Sequence, residues 1–181
     1  MPRWRRLLFL PLCFLPYLAA GLQPRIISLP TLREMTRQSG YIFAGTVAGV
    51  ERIAPQSSNG LATVQVSFRV DQAIRGVRTG QVLVVREWAG LWENGSRYRV
   101  GERLLLFLYR PSKLGLTSPV AGGLGRFAMD SNGQVVLEEA RHAAVLRDAV
   151  ISGVVSAVPG KKAVLINRRA FARAIRRAEE E

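Results

Sequence analysis

The chain has 181 residues, 48% of them hydrophobic, and a formal net charge of +13. That length suits one domain with a targeting segment and leaves no room for a second sizeable core, and the apolar share excludes a disordered polyelectrolyte. The charge points toward nucleic acid or an acidic surface, but all the cations except Lys113, Lys161 and Lys162 are arginines scattered along the chain, as on a solvated basic surface.

Residues 1–20 read as a secretory signal peptide. Arg3, Arg5 and Arg6 form a basic head, Leu7 to Leu22 is apolar or neutral, and Ala19, Ala20 and Gly21 supply small residues for cleavage. A membrane anchor needs about 20 apolar residues, whereas this run is shorter and broken by Pro11 and Pro16. The expected address is periplasmic or extracellular, with no membrane span after cleavage. Cys13, the single cysteine, lies inside this segment. The mature chain would then have no disulfide, thiol nucleophile or thiolate metal site. Its charge would be +10, since three arginines and no acids leave with the signal.

A linker and short helix follow over residues 21–40. In "PTLREMTRQSG", Thr31 is placed to cap, Glu34 stands three residues on as in a capping box, and Gly40 is placed to end the helix. Residues 41–137 read as the β domain. "YIFAGTVAGVERI" is β-branched and aromatic, with Gly45 and Gly49 marking bulges or bends. "SSNG" predicts a hairpin turn. In "ATVQVSFRV", Ala62, Val64, Val66, Phe68 and Val70 share one face, and Thr63, Gln65, Ser67 and Arg69 the other, which predicts an antiparallel strand with one wet side. "RGVRTG" turns the chain into the strand "QVLVVREW". Leu104 to Leu108 is an unbroken apolar run between Gly101-Glu102 and Arg110-Pro111, as expected of a strand buried on both faces. "GRFAMDSNGQVVL" predicts a further hairpin, turning at Asp130 to Gly133.

Residues 138–166 are mixed: Glu138 to Val150 has helical character and "VPGKK" is loop-like. Residues 167–181 predict an amphipathic helix capped by Asn167, with Phe171 and Ile175 as the large members of its apolar stripe. Phe171 and Ile175 are expected to dock on the β domain and leave the helix arginines wet.

The order of these pieces resembles the tissue-inhibitor-of-metalloproteinase and netrin-module family. The resemblance runs from Ser39 to Tyr109 and rests on Gly45, Val47, Val70, Gly76, Val100, Gly101, Glu102, Leu105 and Phe107. It is also similar to small exported bacterial proteins of this pattern, which continue with a stretch matched by Thr117 to Phe127. The fold this implies is mainly β: an OB-like, five-stranded Greek-key barrel with a short N-terminal helix and a C-terminal helix. The animal inhibitors chelate the protease metal through an N-terminal cysteine, and the mature chain would have none, so that mechanism does not carry over.

Catalytic, cofactor and metal sets are not expected. His142 is the sole histidine, which rules out histidine clusters, and it reads as a surface residue beside Arg141. No G-x-S-x-G elbow is present, and adjacent Glu138 and Glu139 would not face each other on a helix. "GGLGRF" lacks the G-K-[ST] of a phosphate loop and leads into a strand; Arg126 is its natural anion holder. Trp88 and Trp92 flank a loop and, with Arg126, are the candidate partner-binding residues. Asn94-Gly95-Ser96 is a glycosylation sequon. The expected function is an exported, non-enzymatic domain that binds a protein or envelope partner, such as a secreted protease, through loops near Trp88–Tyr98 and 115–126. The alternatives are a nucleic-acid-binding OB domain, for which the wet face of 62–70 lacks aromatics, and, behind it, a hydrolase.

Overall fold

A computed structural model describes residues 29–55, 57, 60–93, 97–138, 142–145 and 163–180. The predicted signal segment and the sequon lie outside them. Helix α1 (Leu32–Gln38) has the predicted capping box, with Thr31 Oγ1 accepting from Glu34 N at 3.2 Å and the Glu34 carboxylate accepting from Thr31 N at 2.8 Å. It ends before Gly40, because the chain is already extended at Ser39, whose hydroxyl donates to Met35 O.

Five antiparallel strands form the main sheet: β1 (Ser39–Ile53), β2 (Thr63–Arg75), β3 (Val82–Trp88), β4 (Arg103–Tyr109) and β5 (Arg126–Ala128), in the order β3-β2-β1-β4-β5. The long β1 pairs with both β2 and β4, and its register slips at Ala44/Gly45 and between Val47 and Gly49. Gly45 is required there, since a Cβ would lie 2.6 Å from the Arg69 carbonyl oxygen. Such slips bend a strand, so both glycines mark bends as expected. β3 and β5 are the sheet's edges, and one parallel bridge joins Arg86 of β3 to Leu116 in the loop after β4. The fold is therefore mainly β and antiparallel, with flanking helices.

β4 sits between two cores. Leu105 and Phe107 pack with α1 and the C-terminal elements; Leu104, Leu106 and Leu108 pack with Phe43, Val66 and Phe68 inside the sheet. All five side chains are buried, as the uninterrupted run predicts. Each such burial stabilises by roughly 1.5–3 kcal/mol, which makes β4 a principal contributor to the core. The predicted faces of β2 hold from Val64 on, where Val64, Val66, Phe68 and Val70 are buried and Arg69 is exposed, whereas Thr63, expected on the wet side, is buried and Ala62 is half-buried.

Two expectations change beyond β5. The hairpin at Asp130 to Gly133 forms, with Gly133 N donating to Asp130 O at 3.0 Å and an antiparallel bridge between Met129 and Val135, although β5 and the strand that follows belong to different sheets. β6 (Gln134–Glu138) pairs with β7 (Ala163–Asn167), a strand within the stretch read as mixed. His142 is buried, not superficial: its Nδ1 accepts from Glu138 N at 3.0 Å and its ring stacks on Phe127.

Helix α2 (Arg168–Glu180) starts where Asn167 Oδ1 accepts from Arg169 N and Ala170 N. Phe171 and Ile175 are fully buried in the core shared with α1 and Phe127, so the helix docks as its stripe predicts. Arg75 ties the layers together by donating to Thr36 O at the end of α1 and pairing with Glu179 of α2.

Candidate functional site

β2 fixes which way β3 faces. Its inward residues Phe68, Val66 and Val64 stand opposite Leu83, Val85 and Glu87, so those three residues of β3 also turn inward. The outward row of β3 is then Val82, Val84, Arg86 and Trp88. A carboxylate is buried while a largely apolar row meets solvent. Val82, Val84 and Trp88 are 62%, 52% and 47% exposed.

The buried carboxylate is fully supplied with partners. Trp92 Nε1 donates to Glu87 Oε2 at 3.1 Å, the Tyr98 hydroxyl donates to Oε1 at 3.0 Å, and Arg97 pairs with Oε2 at 3.4 Å. Tyr98 continues a column of edge-packed rings through Phe68 to Phe43. Arg126 lies over the Tyr98 ring, 4.7 Å from its centre, and its Nη2 donates to Glu102 Oε1 at 3.2 Å. Burial raises the Glu87 carboxyl above the ordinary range, against the pull of Arg97, Tyr98, Trp92 and Arg126. Burial and the Glu87 charge push the Tyr98 phenol well up, so it stays a donor. Glu87, Trp92 and Tyr98 are all buried, and the network fastens Trp92, Arg97 and Tyr98 across the inward face of β3.

The Val100-Gly101-Glu102 stretch belongs to the same fastening. Gly101 N donates to Val47 O, Val47 N donates to Glu102 O, and the Glu102 carboxylate also accepts from Arg99 N. This gives the motif a physical role: it locks the entry of β4 to the middle of β1.

The structure brings together two of the three candidate residues. Trp92 and Arg126 meet around Tyr98, Trp92 buried and Arg126 half-buried. Trp88 projects from the opposite face of β3, its indole folded over Gly90, where an added Cβ would lie 2.4 Å from the ring. Glu87 escaped sequence reasoning because both alternations of "VLVVREW" are apolar enough to be buried. The usable signal was indirect: the unambiguous alternation of β2.

Next to the outward row lies a cleft of about 470 Å³ between the β1–β2 hairpin and the loop after β4. Ile53, Leu61, Leu114 and Leu116 form its apolar walls, with Thr63 and Arg86 as polar members. Arg86 Nη2 donates to Leu114 O at 3.2 Å, and Arg86 O accepts from Thr117 N. The row and cleft together offer apolar contact beside an exposed guanidinium. Among the described residues, no helix is long and apolar enough to cross a membrane. In comparisons with known proteins, the chain matches no family model, no curated protein and no solved structure.

Proposed function

We propose that this chain is an exported, non-enzymatic binding domain, built on the OB-like barrel of the netrin-module pattern, which holds a protein partner on the outward face of β3. The observation that carries this reading is that β3 buries Glu87 and exposes Val82, Val84 and Trp88. Exposed apolar patches of this kind mark interaction surfaces. The carboxylate best suited to acid–base work is sealed behind Trp92 and Tyr98, which favours a structural role for it. The face favours protein over nucleic acid, because single strands are held on successive aromatics, whereas Val82 and Val84 offer none and Trp88 is the one aromatic in the row. The loops expected to bind enter mainly through Trp88 at the start of the 88–98 segment and Leu116 at the start of the 115–126 segment.

A photo-crosslinking amino acid at Trp88, compared with one at the exposed Arg173 on α2, tests this in the cells that make the protein. A discrete adduct with another protein is expected from position 88 and not from position 173. Equal adducts from both positions, or none from 88, would refute the reading.

A further inference from the structure

We infer that β3 takes its partner by strand addition, and that the partner is an extended acidic segment of another protein. This rests on the binding reading above and specifies its chemistry.

The backbone supplies the first argument. Gln81 O accepts from Val70 N and Ala89 N donates to Ala62 O, so the odd-numbered residues from 81 to 89 direct their amide and carbonyl toward β2. The even-numbered residues therefore direct theirs toward the open edge. Arg86 confirms the phase, since its carbonyl accepts from Thr117 N on that side. Gly115, with φ +71, turns the covering loop away just before Leu116, and no backbone partner covers Val82 or Val84 among the described residues. The edge thus presents two N–H and two C=O groups in line, beside side chains that are themselves apolar and exposed. Edge strands are ordinarily blunted by lysine, proline or a cover; this one is covered at Arg86 and bare before it. An extended peptide completes such an edge with main-chain hydrogen bonds, and its alternate side chains supply specificity.

Charge selects the occupant. Arg86 follows Val84 in the outward row, and Arg69 stands opposite Val82. Glu87 of β3 faces inward, and the outward carboxylates of the neighbouring strands are Asp71, held by Arg69 and Thr46, and Glu51 on β1, two strands from the edge. An acidic peptide could lay apolar residues along Val82 and Val84 and bring a carboxylate to Arg86. A second copy of this chain would bring a strong positive net charge, +10 once the signal segment is removed, against another of the same sign.

The probe is a fluorescein-labelled nine-residue peptide of alternating Glu and Val, titrated with the protein and followed by anisotropy. Saturable binding is expected, at least tenfold weaker when Lys replaces Glu, and reduced by Arg86→Gln. N-methylating one alternate set of peptide amides should abolish binding, and methylating the other set should be tolerated, a contrast that leaves the protein untouched. Val84→Pro removes an outward amide without touching the β2 pairing and should abolish binding with the fold retained by circular dichroism. Absence of binding, indifference to which amides are methylated, or equal binding of the Lys peptide would overturn the inference. So would concentration-dependent dimerisation lost in Val84→Pro, which would make a second copy the occupant. If strand addition fails in these ways while crosslinks from position 88 persist in Val84→Pro, the face-binding reading stands. If wild-type crosslinks are absent as well, both fall.

Discussion

Phe107→Ala should lower the unfolding free energy by about 3–5 kcal/mol, and Leu106→Ala by about 2–5 kcal/mol. The two neighbours point into different cores, Phe107 toward α1 and α2 and Leu106 toward the interior of the sheet, so each change opens a cavity the other does not touch. Phe107 also packs edge-on against Phe127, 5.6 Å between ring centres, which the truncation would remove. Arg69→Ala serves as the control, since Arg69 is exposed and its contact with Asp71 is 3.6 Å long. Urea melts should rank both core variants far below it. An Arg69→Ala protein as unstable as either would show the facing of β2 and β4 to be wrong.

Glu87→Ala should cost a similar amount, about 3–5 kcal/mol, the range for breaking a buried charged pair from one side. It leaves Trp92 Nε1, the Tyr98 hydroxyl and Arg97 without their acceptor in a buried site. Glu87→Gln separates charge from shape through pH. Burial holds this carboxyl above its ordinary 4.5, so the folded protein keeps the proton to higher pH than the unfolded chain does. The stability linked to that proton is full below the ordinary value and is lost as pH rises through the raised one. Wild type should therefore lose stability relative to Glu87→Gln as pH is increased from about 4.5. A carboxyl depressed by Arg97 would give the opposite slope, and matched chemical-denaturation curves across that range distinguish the two.

Local signals in the sequence carried much of the fold. The Thr31–Glu34 box, the alternation of β2, the apolar run of β4 and the Asn167 cap are each set by residues a few positions apart, and each appears where expected. What was not legible depends on distant pairing. β7 is five residues whose strand character comes from β6, about thirty positions earlier, and the second arm of the hairpin after β5, bridged at Met129 and Val135, runs on into a second sheet by pairing with β7. His142 looked superficial beside Arg141, yet Phe127 and the Glu138 amide draw it inside. The candidate site failed in the same way. Trp88, Trp92 and Arg126 were identifiable as unusual residues, but Glu87, which holds Trp92 on the inward side of β3, is invisible without the β2 register.

That orientation is the claim on which the binding face depends, and thiol labelling measures it directly. Cys13 is the only native cysteine, so Cys13→Ser gives a silent background into which single cysteines can be placed along β3. Val82→Cys, Val84→Cys and Trp88→Cys should react with a soluble maleimide at rates near those of an unfolded control, and Val85→Cys should react slowly until the protein is denatured. Rapid reaction at position 85 with protection at 82, 84 and 88 would place the apolar row inside and remove the binding face altogether.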